Sequence, residues 1–273
     1  MCFELADIGK EIRLRRIFDQ NTGTTLIVPM DHPVEGYFKE LEDPRPTISA
    51  LTKVGVNAFL LRRGLARFAA QEYAGKASLI LRVTGSSGLH YPATELTFVT
   101  KVEEAVRMGA DAVAATIFVG SKREAEDLAA FGALSDACDE WGMPLLGEMM
   151  PIGGEKSIPY DGPYTVEEVK IAVRVGCEEG ADFIKTYYTG DPIGFREVVK
   201  YSTVPVVIAG GPKANTTKDV LVMVRGAMDA GARGIAMGRK IWGSKDPTSL
   251  ARALCKIIRE DVNVDEALAL TQV

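Results

Sequence analysis

One lysine of the sequence occupies a position suited to a nucleophile. Residues 181–191 read ADFIKTYYTGD, so a short apolar run ends in Lys185. An ammonium group at the end of a buried strand loses hydration, which favours the neutral amine. Since a neutral amine can form a Schiff base with a carbonyl compound, the stretch indicates imine chemistry. The alternative is a lysine that reaches the rim of the fold or pairs with a carboxylate.

Charged side chains accompany other apolar runs as well. Asp31 and His32 come directly after the first run and Glu148 ends the fifth, where a carboxylate could move a proton during catalysis. Asp31 could instead be a loop or N-cap residue, and Glu148 could instead orient the lysine. Arg82 lies within the third run and could pair with either carboxylate in a structural ion pair. Arg62 follows the second run, where an arginine that faces the substrate is an option.

Two glycine-containing stretches have the composition of a phosphate site. Gly210, Gly211 and Lys213 follow the seventh apolar run, and Gly238 and Arg239 follow the eighth. Backbone N–H groups of such loops bind phosphate oxygens, and the basic side chains add charge. The alternative is that the glycines only close turns. With the lysine and the aspartate, the loops indicate carbon–carbon bond chemistry on a small phosphorylated carbonyl compound, in which the aspartate moves a proton on the aldehyde side.

The elements that position these residues alternate between strand and helix. One pattern recurs four times, in which a glycine, a small residue and a polar residue precede an apolar run. Glycine suits the left-handed position after a helix, so each copy predicts a helix-to-strand junction. The junctions begin at Gly55, Gly109, Gly180 and Gly231. The apolar runs predict eight strands, at 26–30, 58–61, 78–83, 112–118, 144–148, 183–186, 204–209 and 234–237.

Helical patterns lie between the strands. The segment 121–141 has apolar side chains at steps of three and four, as one buried helix face requires. These side chains are Leu128, Phe131, Leu134, Cys138 and Trp141. Ser121 with Glu124, and Thr165 with Glu168, have the spacing of capping boxes at helix starts.

Eight strands that alternate with helices over this length are typical of the α/β class and predict a single (β/α)8 TIM barrel, with its chemistry at the C-terminal strand ends. A doubly wound sheet is the alternative, but no GxGxxG motif follows the first strand. We expect residues 25–273 to form the catalytic barrel. Residues 1–24 are expected to form an N-terminal extension, in which Leu14, Ile17 and Phe18 belong to a helix that closes the barrel bottom or forms an interface.

Composition argues against several classes of function. The net charge of −5, from 32 basic and 37 acidic residues, indicates no binding of nucleic acid or an anionic membrane. Two histidines cannot build a zinc site with several imidazole ligands, so we predict neither a metal nor another cofactor. No apolar run reaches the roughly 18 residues of a membrane span, and the first residues lack the order of a signal peptide. We therefore expect a cytoplasmic protein.

The sequence resembles one family in four motifs, VPMDH at 28–32, IKTYYTGD at 184–191, VIAGGPK at 207–213 and MGRKIW at 237–242. This is the archaeal-type class I fructose-bisphosphate aldolase family, which also contains 2-amino-3,7-dideoxy-heptulosonate synthases and autoinducer-2 phosphate thiolases. The resemblance implies that Lys185 forms the Schiff base, that Asp31 is the aspartate of the site and that the two glycine loops bind phosphate. It also implies a metal-independent homo-oligomer, often a decamer.

One position departs from that family. Its aldolases and synthases carry an acid–base tyrosine after the fifth strand, where this sequence has Met150, and the thiolase branch lacks the tyrosine as well. Glu148, Tyr160 or Tyr187 could supply the proton instead. The leading hypothesis is a class I aldolase acting on a phosphorylated ketose, nominally fructose 1,6-bisphosphate, which yields dihydroxyacetone phosphate and glyceraldehyde 3-phosphate. The alternatives are a heptulosonate synthase, a thiolase that uses coenzyme A, and an inactive phosphosugar-binding barrel.

Overall fold

The computed structural model describes residues 5–32, 36–87, 89, 95–152, 164–210 and 214–271. Its strands are β1 (Thr25–Pro29), β2 (Ala58–Leu61), β3 (Ser78–Arg82), β4 (Thr84–Gly85), β5 (Thr97–Phe98), β6 (Ala112–Val119), β7 (Leu145–Pro151), β8 (Phe183–Tyr187), β9 (Val206–Gly210) and β10 (Gly234–Ala236). The short strands β4 and β5 form a separate antiparallel pair. The other eight are parallel and close into a barrel in the order β1-β10-β9-β8-β7-β6-β3-β2. The prediction of a TIM barrel is therefore confirmed.

Helices alternate with the barrel strands along the chain. They are α1 (Leu5–Ile17), α2 (Arg45–Val54), α3 (Arg63–Phe68), α4 (Ala70–Tyr73), α5 (Val102–Arg107), α6 (Glu124–Glu140), α7 (Val166–Glu178), α8 (Pro192–Tyr201), α9 (Thr217–Asp229), α10 (Arg239–Trp242), α11 (Pro247–Glu260) and α12 (Val264–Ala269). Strand side chains face either this helical layer or the barrel interior, which explains why the strands read as continuous apolar runs. Within the described residues, no helix combines the length and the apolar character that crossing a membrane requires.

The barrel interior is a packed core beneath its open end. Each barrel strand contributes one or two side chains to it, and each of these is at most 1% exposed. They are Ile27, Ala58, Leu60, Ile80, Ala112, Ala114, Leu146, Phe183, Val207 and Ala236. The interior is therefore filled, as in other barrels of this size, and supports the polar layer above it.

Helix α1 packs against this inner cluster. Ile17 is fully buried in it, and Leu14 and Phe18 pack against its edge. The ring of Phe18 meets that of Phe183 edge-on, with 5.5 Å between centroids. The hydroxyl of Thr25 donates a hydrogen bond to the Ile17 carbonyl at 2.8 Å. This packing supports the proposal that residues 1–24 close the barrel bottom, while the division at residue 25 stays a prediction.

The four predicted helix-to-strand junctions are confirmed. Gly55, Gly109, Gly180 and Gly231 have φ angles of 93°, 71°, 90° and 97°. Each glycine stands between a helix and the next barrel strand, where a side chain would strain the left-handed backbone. These junctions fix where the strands begin, and hence how deep their side chains lie in the barrel.

Of the two predicted capping boxes, one is confirmed and one is wrong. The Thr165 hydroxyl accepts from the Glu168 N–H at 3.2 Å, and the Glu168 carboxylate accepts from the Thr165 N–H at 2.7 Å. Ser121 does not cap α6. The helix begins at Glu124, so Arg123 is the N-cap residue, and no side chain caps the helix there. The Glu124 carboxylate instead accepts from the N–H of Gly120 at 3.0 Å.

The buried face predicted for α6 is wrong at its last member. Phe131, Leu134 and Cys138 are buried as predicted, and Leu128 is half-buried against the same core. Trp141 is 42% exposed, because α6 ends at Glu140 and the chain turns away before the periodicity reaches it.

Strands β7 and β8 extend past their predicted ends, and this changes the position of two site residues. The sequence predicts Lys185 and Glu148 at strand ends, which is wrong for both. Lys185 is the third residue of β8, which continues to Tyr187. Glu148 lies in the middle of β7, which pairs with β6 as far as Pro151. Glu148 and Lys185 are register partners on adjacent strands, so both side chains stand side by side inside the barrel.

Candidate active site

A cavity of about 360 Å³ opens at the carboxyl end of the barrel, and all eight barrel strands or their following loops contribute to its wall. The described lining residues are Pro29, Asp31, His32, Arg62, Arg82, Thr84, Gly85, Ser86, Ser87, Leu96, Thr116, Phe118, Glu148, Met150, Lys185, Tyr187, Ala209, Ala236, Met237, Gly238, Arg239 and Lys240. The volume is in the range of pockets that hold small molecules. The cavity lies at the end of the barrel where this fold places its chemistry.

Four charged side chains form a continuous ion network on the cavity floor. The amine of Lys185 pairs with Oε1 of Glu148, and Arg82 pairs with Oε2 of the same carboxylate. The Nε–H of Arg82 also donates to Oδ2 of Asp31 at 2.7 Å. The Thr116 hydroxyl donates to Oε2 of Glu148 at 2.8 Å. Each charged member is more than nine-tenths buried, so their geometry is fixed by one another rather than by water.

The network keeps Glu148 ionised. Burial by itself would raise the pKa of this carboxyl, but the charges of Arg82 and Lys185 outweigh burial and hold the pKa well below its usual range. The hydrogen bond from Thr116 acts in the same direction. At neutral pH Glu148 is therefore an anion that can orient the amine and balance a positive charge on its nitrogen, and it is not a proton donor.

His32 is a neutral imidazole at the edge of the network. Burial lowers its pKa to about 4, despite the opposing effect of the Asp31 carboxylate. Its Nδ1 is 3.7 Å from Oδ1 of Asp31 and has no hydrogen-bond partner among the described residues. Edge-on contacts with the rings of Trp242 and Phe38, at 5.2 Å and 6.0 Å between centroids, fix the ring.

Close packing at Gly238 joins the last barrel strand to the first. A Cβ at this position would lie 2.2 Å from the carbonyl oxygen of Pro29 and 2.5 Å from Cε1 of His32. The indole N–H of Trp242 donates to the same Pro29 oxygen at 3.0 Å. Glycine is required here because the backbone approaches too closely for any side chain, and the contact brings Arg239 to the cavity wall.

Two adjacent cations, Arg239 and Lys240, line this part of the cavity. Burial lowers the pKa of Lys240, and the neighbouring charge of Arg239 lowers it further. The Lys240 amine donates to the Ala214 carbonyl at 3.4 Å. Two adjacent cations at the cavity wall favour the binding of an anion such as phosphate at this side of the cavity.

Tyr187, the last residue of β8, and Tyr188, directly after it, face opposite sides of the barrel wall. Tyr187 lines the cavity, and its ring stacks on that of Tyr164 with 4.7 Å between centroids. Tyr188 is 5% exposed and packs in the outer core against Phe195. Met150 is fully buried and lines the cavity, so an apolar side chain lies where the resemblance implies a tyrosine.

The cavity carries an excess of positive charge. Its described lining contains five cationic side chains and two carboxylates. The cations are Arg62, Arg82, Lys185, Arg239 and Lys240. An excess of three positive charges favours anionic substrates. Among the described residues, no group of three or more His, Cys, Asp or Glu side chains is close enough together to hold a metal ion.

Residues 25–244 match the sequence profile of the protein family described as DeoC/LacD family aldolase. The chain belongs to the DeoC/LacD aldolase family. It is thus a class I aldolase-family lyase, related to archaeal fructose-bisphosphate aldolases and to heptulosonate synthases, which confirms the resemblance that four sequence motifs predict.

Similar proteins of this aldolase family differ in what they act on. The 2-amino-3,7-dideoxy-D-threo-hept-6-ulosonate synthase 1 of Archaeoglobus fulgidus is 35% identical over 261 residues, which cover 96% of this chain and 95% of that one. The 2-amino-4,5-dihydroxy-6-oxo-7-(phosphonooxy)heptanoate synthase of Streptomyces griseus is 33% identical over 255 residues, or 93% and 91% of the two chains. A solved archaeal fructose-1,6-bisphosphate aldolase, with its catalytic lysine bound to the carbinolamine intermediate of the substrate, is 33% identical with a TM-score of 0.82, and the match covers 92% of this chain and 99% of that one.

The structure of this aldolase brings together most of the predicted site residues. Those that line the cavity are Asp31, His32, Arg82, Glu148, Lys185, Tyr187, Gly238 and Arg239. Gly210 ends β9, whereas Gly211, Lys213 and Tyr160 lie outside the described residues. Sequence reasoning missed Thr116 and Lys240. Lys240 directly follows Arg239 and could have been found from that spacing, while Thr116 is one of eight buried residues in its strand and carries no such signal.

Proposed function

We propose that this DeoC/LacD family aldolase makes or breaks a carbon–carbon bond of a phosphorylated ketose through an imine on Lys185. The observation that carries the proposal is the position of this amine. Lys185 is 6% exposed, faces the cavity and pairs with the buried carboxylate of Glu148. A lysine held in this way can reach a substrate carbonyl in a site that largely excludes water.

The substrates of the similar proteins share one chemical unit. Fructose 1,6-bisphosphate and the product named for the Streptomyces griseus synthase both have a phosphate-bearing carbon, a neighbouring ketone and then two hydroxyl-bearing carbons. In both molecules the aldol bond joins those two hydroxyl-bearing carbons. We propose this unit as the substrate class. Fructose 1,6-bisphosphate is the nominal substrate, and condensation to an amino-acid ketose phosphate is the second candidate because of the similarity to the synthase.

The first chemical step is formation of the imine. The Lys185 ammonium first passes a proton to Asp31, and the neutral amine then attacks the ketone carbon to give a carbinolamine. Asp31 returns that proton to the carbinolamine hydroxyl, which leaves as water and gives a protonated imine. The nitrogen carries a positive charge both as ammonium and as protonated imine. The Glu148 carboxylate therefore stabilises both species, and Arg82 and Thr116 hold it in place.

The second step breaks the aldol bond. Its electron pair moves into the protonated imine, which becomes an enamine. The hydroxyl on the departing carbon loses its proton as it becomes an aldehyde, and Asp31 is the proposed base. Arg82 fixes Asp31 through a 2.7 Å hydrogen bond. Since Met150 has no proton to give, Asp31 or Tyr187 returns the proton to the enamine carbon, and hydrolysis of the imine releases dihydroxyacetone phosphate.

The phosphate next to the ketone is proposed to lie against Arg239 and Lys240. Both side chains line the cavity, and β10, which precedes them, lies two strands from β8 in the barrel order. The predicted contribution of Gly210, Gly211 and Lys213 stays a prediction, as does the homo-oligomer implied by the resemblance.

Borohydride trapping tests the imine. The protein is incubated with dihydroxyacetone phosphate or fructose 1,6-bisphosphate, reduced, digested and examined by mass spectrometry. We expect an adduct on the peptide that contains Lys185, and none in Lys185→Ala. Lys53→Ala is the matched control, because Lys53 is exposed at the end of α2 and its removal should leave the adduct intact. Absence of an adduct with both ketoses would refute the proposal.

Turnover assays separate the remaining alternatives. Lys185→Ala should abolish cleavage while leaving the binding of a phosphate ligand largely intact. A thiolase would require coenzyme A for turnover, whereas an aldolase would not. An inactive phosphosugar-binding barrel would bind fructose 1,6-bisphosphate without forming an adduct on Lys185.

A further inference from the structure

Arg62 lies across the barrel mouth from Lys185. It directly follows β2, and β2 is four places from β8 in either direction around the eight-stranded barrel. Both side chains line the same cavity. The strand before Arg239 lies between them, two places from each. A cation therefore stands on the wall opposite the amine, in addition to the cations that we place next to the ketone.

No carboxylate among the described residues balances the charge of Arg62. Among the described residues it forms no ion pair with a carboxylate, and its hydrogen bond to the Ser86 carbonyl is long, at 3.4 Å. Arg82 differs, because Asp31 and Glu148 neutralise it. A half-buried guanidinium without a counter-charge has lost part of its hydration without compensation, so binding of an anion there is favourable.

The backbone at Gly85 holds the guanidinium in place. A Cβ at this position would lie 2.2 Å from Nη2 of Arg62, so the arginine rests directly on the chain. Gly85 belongs to β4, and its pairing with Thr97 of β5 holds this part of the backbone in place. Arg62 is thus part of the cavity wall rather than a side chain extended into solvent, and its N–H groups can meet a ligand with little loss of conformational freedom.

We propose that Arg62 binds a second anionic group, at the end of the substrate remote from the ketone-side phosphate. This inference rests on the proposed function, because the carbonyl at Lys185 and the phosphate at Arg239 fix the direction of the substrate chain. The planar fork of arginine accepts either a phosphate or a carboxylate through two N–H groups. Both chemistries occur among the similar proteins, as the second phosphate of fructose 1,6-bisphosphate and as the carboxylate of the heptanoate.

Condensation kinetics with three acceptor aldehydes test the proposal. Dihydroxyacetone phosphate is combined with glyceraldehyde 3-phosphate, with aspartate 4-semialdehyde or with uncharged glyceraldehyde. A charge-assisted hydrogen bond contributes about 1.5–3 kcal/mol, so Arg62→Gln should lower the kcat/KM ratio of the anionic acceptor to glyceraldehyde by about 10- to 150-fold. The anionic acceptor that shows this loss identifies phosphate or carboxylate as the natural group. An unchanged ratio for both anionic acceptors would overturn the proposal.

Arg67→Gln is the matched control for these kinetics. Arg67 is on α3, five residues further along, and its side chain is 62% exposed and paired with Glu104. We expect Arg67→Gln to leave kcat/KM unchanged for all three acceptors. If Arg62→Gln lowered all three equally, its role would be structural and the proposal would be overturned.

A binding experiment without chemistry distinguishes this inference from the aldolase proposal. Hexitol 1,6-bisphosphate and hexitol 1-phosphate have no carbonyl, so their dissociation constants, measured by calorimetry, do not depend on an imine. The protein should prefer the bisphosphate, and Arg62→Gln should abolish that preference. This result together with a failed borohydride trap would refute the aldolase mechanism and keep the anion site. A preference that is absent, or that survives in Arg62→Gln, would refute the anion site whatever the trap shows.

Discussion

Replacing Glu148 by glutamine removes the charge that holds two buried cations while keeping the size of the side chain. The carboxylate is 4% exposed and pairs with Lys185 through one oxygen and with Arg82 through the other. Glutamine can donate and accept hydrogen bonds, so Thr116 retains a partner. The substitution therefore isolates the electrostatic contribution of the network.

The size of the stability loss in Glu148→Gln depends on whether each cation keeps another carboxylate partner. Arg82 keeps Asp31 at 2.7 Å, so its charge stays balanced in Glu148→Gln. Lys185 pairs with no other carboxylate among the described residues, and it is 6% exposed. Removing one partner of a buried ion pair costs about 3–5 kcal/mol, and most of that loss should arise at Lys185. At this chain length, such a loss lowers the melting temperature by roughly 6–20 °C.

A double-mutant cycle, measured by urea unfolding, tests whether the loss of stability arises at Lys185. The free energies of unfolding of Glu148→Gln, Lys185→Met and the double variant are compared with that of the unchanged protein at pH 7. In the double variant no uncompensated lysine charge remains, so it should be more stable than Glu148→Gln alone. Equal losses in Glu148→Gln and in the double variant would refute the reasoning, because the stranded lysine would then contribute nothing.

The pH dependence supplies a second readout with a definite sign. The pKa of Glu148 in the folded protein lies below its ordinary value of 4.5, so the network's contribution to stability is fully present above that value. It is lost as the pH falls toward the lower folded pKa. The stability difference between the unchanged protein and Glu148→Gln should therefore be constant near neutrality and shrink below about pH 4.5. A difference that grew on acidification would contradict this sign.

Three further substitutions or treatments have expected outcomes. Gly238→Ala should destabilise the fold by about 1–3 kcal/mol in thermal unfolding, because its Cβ would lie 2.2 Å from the Pro29 carbonyl oxygen. Gly64→Ala is the control and should not destabilise the fold, because a Cβ there would have no heavy atom within 4 Å. Equal effects of the two substitutions would refute the packing argument. Ile17→Ala should cost about 2–5 kcal/mol in urea unfolding, because Ile17 is fully buried in the inner cluster, whereas Ile12→Ala, on the same helix and 48% exposed, should stay within about 0.5 kcal/mol. Similar losses in both variants would show that α1 does not seal the barrel through this face. Turnover should be unchanged after treatment with EDTA, and an activity that disappears and returns with a divalent cation would contradict imine chemistry.

The barrel was predictable because its signal is local. Four glycine junctions and eight apolar runs each lie within a few residues of the chain, and the left-handed glycines at Gly55 and Gly180 occur where that pattern places them. The end of a strand is not local in this sense. It depends on how far the neighbouring strand continues, which is why β7 runs to Pro151 against β6 although the predicted strand ends at Glu148.

The same reason limits what could be said about the site. Sequence placed Lys185, Glu148 and Arg82 near one another but left open which carboxylate each cation meets. The answer depends on register, because Glu148 stands directly opposite Lys185 across the two strands. Thr116 was missed because it lies within a run of eight buried residues, and nothing in the sequence shows that its side chain faces the site. Arg62 carried no support in sequence, since only the closed barrel places it opposite the lysine.

The filled interior of the barrel closes the cavity from below, which imposes an order on the proposed reaction. In the described part of the chain, apolar side chains from all eight strands lie beneath the ion network, so ligands enter and leave from the mouth side. In the proposed mechanism the ketose half is bound covalently to the buried Lys185, so it stays in the site after the aldehyde half has left. It must arrive first in condensation and depart last in cleavage. Dihydroxyacetone phosphate should accordingly inhibit cleavage competitively with fructose 1,6-bisphosphate, and glyceraldehyde 3-phosphate should inhibit noncompetitively.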